Sequence, residues 1–264
     1  MSARYKSLLD TKLLDLKLNN VENFELSKLG VVSINNGNVE NLRLGKQIER
    51  WVSLAINKSS KYDIVLENIQ VFKGKITIGE FDFIIREIES NRLIHLELVY
   101  KFYLYRPSEA SVEIHKWIGP NLKDSLIKKV DKLKNKQFPL LFKEESKIVL
   151  DNIDINAVNQ QLCFMVNLFV PFGFKTEMYP DINNDAIAGY WYKFTDFLSL
   201  FECNFLFYIP VKSEWGLSPE QNNNWMSFKD ILIEINECHL RQFSPMCWIK
   251  DCEGNFSQCF VVWW

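Results

Sequence analysis

Four side chains in two short stretches have the types and spacing to do chemistry together. Glu80 and Asp82 stand one residue apart in Gly79-Glu80-Phe81-Asp82-Phe83, and Glu97 and Lys101 lie in His95-Leu96-Glu97-Leu98-Val99-Tyr100-Lys101. Alternation along a strand puts Glu80 and Asp82 on one face of their strand, and Glu97, Val99 and Lys101 on one face of the next. A hairpin joining the two brings Asp82 beside Glu97. Two carboxylates in a half-buried site repel, and at least one pKa rises, so the pair is stable mainly when a divalent cation or a lysine neutralises it. Oxygen-only ligands suit magnesium or manganese, and Lys101 shares the strand face. The bland alternative is a solvent-facing hairpin whose cross-strand Glu–Lys pairs are each worth a fraction of a kcal/mol.

The elements that must position these groups are legible from periodicity. Leu44, Ile48, Trp51, Val52 and Ala55 recur at three- and four-residue intervals and draw one buried stripe on a helix, with Glu49 at its edge. Strand-like runs follow at Tyr62 to Phe72, at Ile76 to Ile85 after the turn Lys73-Gly74-Lys75, and at Leu93 to Tyr105 after Glu89-Ser90-Asn91. Pro120-Asn121 opens a further helix, with Leu122, Leu126, Val130 and Leu133 as its stripe and Pro139 ending it. Its other faces carry Lys123, Lys128, Lys129, Lys132, Lys134 and Lys136 against Asp124 and Asp131. A solvated face is the ordinary reading of such a run. The sharper one is a phosphate-tracking face, with Lys123, Lys128, Lys132 and Asn121 as substrate-binding candidates.

Taken in order, Leu44-Gly45-Lys46-Gln47-Ile48-Glu49, the Gly79 to Asp82 run, His95 to Leu104 and Trp117-Ile118-Gly119-Pro120-Asn121 resemble the PD-(D/E)XK phosphodiesterase superfamily, the fold of many nucleases. Within it the run is similar to a bacterial family catalogued as a domain of unknown function. The likeness covers residues 40 to 140 most strongly. It implies an α/β nuclease-like core, a helix followed by an antiparallel meander in a mixed sheet flanked by helices. It also implies metal-dependent hydrolysis of nucleic acid, DNA ahead of RNA. In that chemistry Asp82 and Glu97, with Glu49 through water, hold magnesium or manganese, Glu80 is a spare ligand, and Lys101 orients the attacking water. The superfamily's usual lysine position is occupied here by Val99, and Lys101 stands about 7 Å further along the strand. That departure keeps a second expectation open: a catalytically inactive member of the fold that binds nucleic acid or a protein partner.

The whole-chain arithmetic bounds these readings. In 264 residues, 47% are hydrophobic and 24% charged, which excludes disordered, collagen-like and coiled-coil classes. The formal net charge of −2 means that nucleic-acid binding must rest on a local patch. The N-terminal leucines, helically spaced over residues 4 to 18, are interrupted by charges and form no signal-peptide core. The most apolar run, Leu162 to Phe174, contains Asn167 and Pro171 and falls short of the roughly 20 residues that span a bilayer, so no membrane partner is expected. Six cysteines without an export signal read as reduced thiols of a cytoplasmic protein. Around Cys238, His239, Cys247, Cys252 and Cys259 the spacings lack a two-residue knuckle, so no zinc is expected. No P-loop, dinucleotide fingerprint, nucleophile elbow or zincin helix is present. His95 and His115 read first as packing residues, with a supporting role behind the carboxylates as the sharper option for His95. Tyr100, Phe102, Tyr103 and Tyr105 read as core before they read as base-stacking residues.

The organisation expected is an N-terminal helical segment over residues 1–40, separated by a polar stretch through Asn35, Asn36, Gly37 and Asn38 from the nuclease-like core at 41–146. An aromatic-rich antiparallel lobe follows at 147–264, with strands at Leu162 to Phe174, Phe197 to Val211, Met246 to Lys250 and Cys259 to Trp264, and a helix at Trp225 to Glu237.

Overall fold

The computed structural model describes residues 2–30, 32, 34, 42–107, 112–173 and 184–264; the stretch Asn35 to Asn38 and Phe174 lie outside these. Its elements run α1 (Ala3–Asp10), β1 (Val21–Asn23), α2 (Leu44–Lys58), β2 (Tyr62–Lys73), β3 (Ile76–Glu87), β4 (Leu93–Tyr105), β5 (Trp117–Ile118) and α3 (Leu126–Lys132). Then come β6 (Asn159–Pro171), β7 (Ile187–Lys193), α4 (Phe194–Phe197), β8 (Leu206–Tyr208), α5 (Phe228–Leu240), β9 (Met246–Lys250) and β10 (Phe256–Val262). The architecture is mixed α/β, with parallel and antiparallel strand pairs. No helix among the described residues is long and apolar enough to cross a membrane.

The chain divides into two compact units, each assembled from separated stretches: residues 1–100 with 128–165, and residues 101–127 with 166–264. Strands β4 and β6 and helix α3 therefore each begin in one unit and end in the other.

In the first unit, β2, β3 and β4 form an antiparallel meander. Its α2 buries Leu44, Ile48, Trp51, Val52 and Ala55, the stripe that the periodicity marks, and Ile56 beside them. Val71, Phe81, Ile84, Leu140, Leu141 and Leu150 make one continuous core cluster. Gly79 is what lets the segment after α3 lie so close to β3. A Cβ built there would stand 2.6 Å from Leu140 Cδ2, inside any real carbon contact. The same unit pairs β1 parallel to the start of β6.

The helix expected across the leucines of residues 4 to 18 ends at Asp10, after an N-cap in which Ser2 Oγ accepts from the Tyr5 amide. Beyond it the chain is extended: Leu13 bridges Met165, and the Leu14 amide donates to the Phe164 carbonyl. Leucine spacing there reflects burial against a strand and not a longer helix.

In the second unit β7 pairs parallel with both β6 and β10, while β9 pairs antiparallel with β10 and β8. The wholly antiparallel lobe expected after residue 147 is thus a mixed sheet. The crossover from β7 to β10 carries α4, β8, α5 and β9, long enough to return the chain in the same direction. The strand expected at Phe197 to Val211 is mostly helical turns with only Leu206–Tyr208 extended. Asn204 adopts φ 54°, which breaks the run. Its aromatics serve the core instead: Phe197 stacks on Phe228 and meets Phe207 edge-on.

The helix expected from Asn121 starts five residues later. Leu122 is exposed, with φ 60°, and a turn closed by the Gly119 amide on the Asp124 carbonyl precedes the helix. After α3 the chain continues through a π-helical turn at Leu133–Gln137 and a 3-10 turn at Phe138–Phe142. The buried stripe narrows to Leu126 and Leu133, and Val130 is only half-buried.

Candidate carboxylate site

The β3–β4 ladder pairs Ile84 with His95 and Phe83 with Leu96, so the next rung sets Asp82 opposite Glu97. Regular pairing stops there. The Asp82 side chain takes up the free backbone donor beyond it, with Oδ2 accepting from the Leu98 amide at 2.9 Å. Among the described residues nothing donates to Asp82 Oδ1. Burial, and after it the charge of Glu97, push the Asp82 carboxyl up to about 8, against the pull of the Leu98 amide. Glu49 adds to the rise and Lys129 opposes it.

Glu97 is fully buried and anchored through both oxygens. Oε1 lies 3.0 Å from His95 Nε2, and Oε2 accepts from Gln137 Nε2 at 2.8 Å. The imidazole of His95 is itself fully buried between the rings of Phe81 and Phe138, which meet it edge-on. Gln160 Nε2 donates to the Phe138 carbonyl at 2.7 Å and lies 3.2 Å from His95 Nδ1. An amide nitrogen can only donate, so Nδ1 is the accepting nitrogen and His95 carries its proton on Nε2, aimed at Glu97. Gln137 reaches Glu97 because the π-helical turn after α3 rotates it inward; such turns recur at functional sites.

The other two carboxylates share a lysine. Lys46 Nζ, one turn before Glu49 on α2, donates to Glu49 Oε2 at 2.6 Å and to Glu80 Oε1 at 2.7 Å, and lies 3.0 Å from Asn68 Oδ1. Burial raises the Glu49 carboxyl against the Lys46 bond, whereas at Glu80 the Lys46 bond and charge outweigh burial and lower it. Burial alone would lower Lys46, but hydrogen bonds and charge from both carboxylates raise it. Asn68 occupies the rung between Glu67–Phe83 and Ile69–Phe81, which faces Asp82, and holds φ 53°. Asparagine tolerates that left-handed backbone better than most residues.

Glu49, Glu80, Asp82 and Glu97 therefore all belong to the first unit, linked in a chain of mutual charge effects. The α3 lysines add positive charge around them: Lys129 acts on Asp82 and Glu49, and Lys132 on Glu80. Lys128 and Lys132 are exposed on α3. The other expected residues belong to the second unit. Lys101 Nζ is paired with Asp124 Oδ2 at 2.6 Å, Lys123 lies exposed in the turn before α3, and Asn121 Oδ1 accepts from the Ser244 amide at 2.8 Å. Val99, at the usual lysine position, is buried.

Among the described residues no three His, Cys, Asp or Glu side chains are grouped to hold a metal ion. The donor chemistry nevertheless fits magnesium. That ion takes one or two carboxylates and keeps several waters, and Asp82 beside Glu97 is a like-charge oxygen pair with an uncommitted Oδ1.

Sequence reasoning did not reach Lys46, Asn68, Gln137 or Gln160. Lys46 could have been found by its i, i+3 spacing to Glu49. The others carry no local signal, because a π-helical turn, a left-handed residue and a pairing 65 residues apart bring them in.

A family model described as Domain of unknown function (DUF1853) matches residues 19–255 of the chain. No curated protein and no solved structure matches it.

Proposed function

We propose that this chain, which belongs to the family described as Domain of unknown function (DUF1853), is a metal-dependent phosphodiesterase of nucleic acid working at Asp82, Glu97, Glu49 and Glu80. The observation that carries the reading is Asp82: a carboxyl set against a buried carboxylate, one oxygen uncommitted, in a place where burial and Glu97 penalise its negative form more than Lys129 favours it. Groups whose environments displace them this far cluster at functional sites. A divalent cation held by Asp82 and Glu97 together with waters would supply Lewis-acid activation of water and stabilise the leaving oxygen, while Glu49 and Glu80, paired with Lys46, would act on it through water. The chain's own residues do the rest. His95 and Gln137 fix the orientation of Glu97, and outer partners of this kind set the geometry of ligating carboxylates. The lysines of α3 put positive charge around the acidic centre, as a phosphate backbone requires. PD-(D/E)XK-type chemistry and a preference for DNA over RNA belong to this proposal.

A second reading, a nuclease-like fold that binds nucleic acid or a protein partner without cutting, is favoured by one arrangement. Val99 is buried where the lysine would stand, and Lys101 is committed to Asp124. The two separate by assay of the purified chain on linear, supercoiled, single-stranded and branched DNA and on RNA, with magnesium or manganese, beside Asp82→Asn. Cleavage that disappears in the variant supports the enzyme. Salt-sensitive binding with no cleavage of any substrate supports the second reading and ends the first.

A further inference from the structure

The carboxylate site lacks a strand lysine but has an ammonium from elsewhere in the fold. Resting on the phosphodiesterase reading, we propose that Lys46 of α2, and not Lys101, is the lysine that meets the substrate phosphate.

Three observations place it. Lys46 Nζ bridges Glu49 and Glu80, two of the four clustered carboxylates, so it stands within the same electrostatic centre as Asp82. Its third acceptor, Asn68 Oδ1, comes from the residue held at φ 53° on the rung that faces Asp82. Three acceptors from α2, β2 and β3 fix the direction of one flexible side chain, which is how a site aims an ammonium. The Lys46 side chain is 49% exposed, so a phosphate can reach it from solvent. Lys101 reaches solvent too, at 39% exposure, but among the described residues its ammonium pairs with Asp124 Oδ2 and with none of the four carboxylates.

The pairs that hold Lys46 open to solvent at the lysine end, and solvent screening weakens each of them. Exchange of one carboxylate bond for a non-bridging phosphate oxygen is therefore cheap, and the remaining contacts keep the amine in place. The ammonium then offsets negative charge on the phosphorus oxygens as the water attacks. Lysine acts on phosphate as a point charge, so it needs no fixed planar geometry to do so.

The test compares wild type, Lys46→Met, Lys46→Arg and Lys101→Met in the full chain, after urea unfolding has confirmed that each is folded. The first measurement is anisotropy of a fluorescein-labelled DNA oligonucleotide without metal, as a function of salt. Lys46→Met should lower affinity several-fold and the salt slope by about one, and Lys46→Arg should restore the slope. The second is single-turnover cleavage at saturating magnesium, where Lys46→Met should lose about 100-fold or more. If Lys46→Met binds and cuts like wild type, or if Lys101→Met loses more in both measurements, the assignment of Lys46 is overturned while the carboxylate site stands. A Lys46→Met rate that is low at limiting magnesium but equals wild type at saturating magnesium also overturns it, because Lys46 then only organises the carboxylates. Should wild type bind but cut nothing, the phosphodiesterase reading fails and the salt slope alone decides Lys46. Absence of binding by wild type sinks both.

Discussion

Replacing Asp82 with asparagine should stabilise this protein in alkaline solution and leave it nearly unchanged in acid. The folded carboxyl is raised to about 8 from an ordinary 3.8, by burial first and by Glu97 second. Below about pH 4 both folded and unfolded chains hold the proton, and the group adds no penalty. As pH climbs towards 8 the unfolded chain releases that proton while the folded chain keeps it, so stability falls; above about 8 the loss levels off. Each pKa unit corresponds to about 1.4 kcal/mol, which sets a ceiling near 6 kcal/mol. Asp82 is only half-buried, and water together with small movements of the carboxyls reduces this to about 2–4 kcal/mol. Asparagine keeps the carbonyl oxygen that accepts from the Leu98 amide and removes the repulsion with Glu97. The expected result is a Tm difference near zero at about pH 3.5, growing to about 5–10 °C in favour of Asp82→Asn at about pH 9. Differential scanning calorimetry across that range measures it. A variant no more stable than wild type at pH 9, or a difference that does not change with pH, would refute the electrostatic account of the pair.

Other consequences are open to direct measurement. Magnesium should raise the Tm of wild type more at about pH 8.5 than at about pH 6, because the cation must displace the proton of Asp82, and Asp82→Asn should lose most of that response. Gln137→Leu removes the donor to Glu97 Oε2 in a fully buried setting and should cost about 2–3 kcal/mol in urea unfolding, while an exposed Lys136→Leu nearby costs less than about 0.5. Gly79→Ala forces its new methyl onto Leu140 and should cost about 1–3 kcal/mol, and the double variant with Leu140→Ala should lose less than the sum of the two single losses; additive losses would mean that the close approach is unimportant.

Whatever a local period encodes was legible in the sequence. The apolar stripe of α2 needs only the spacing of Leu44, Ile48, Trp51 and Val52, and its buried set in the structure follows that spacing. The three meander strands follow from alternation and from turns at Lys73-Gly74-Lys75 and Glu89-Ser90-Asn91; their observed spans, Tyr62–Lys73, Ile76–Glu87 and Leu93–Tyr105, begin at the expected residues. Period two also selected Asp82 and Glu97 as candidates for one strand face, and the ladder register sets them opposite. Where a short-range pattern has two tertiary uses, the sequence misleads. Leucines spaced for a helix at residues 13 and 14 bury equally well against a strand, and the aromatics of residues 197 to 211 fill a core from helical turns.

Tertiary structure alone decided which partners each charge received. Lys46 and Lys101 are both lysines near acidic motifs in sequence, yet one is shared by Glu49 and Glu80 and the other is held by Asp124. Asn121, a candidate for substrate, is committed to the Ser244 amide 123 residues away. The buried hold on Glu97 depends on Gln137, turned inward by a π-helical turn, and on His95, whose tautomer is set by Gln160 from β6. Residue types and periods determine which groups can be charged and which face they share. The free energy of a charge depends on the few ångströms around it, and those are filled by residues that meet only when distant strands and turns close on one another.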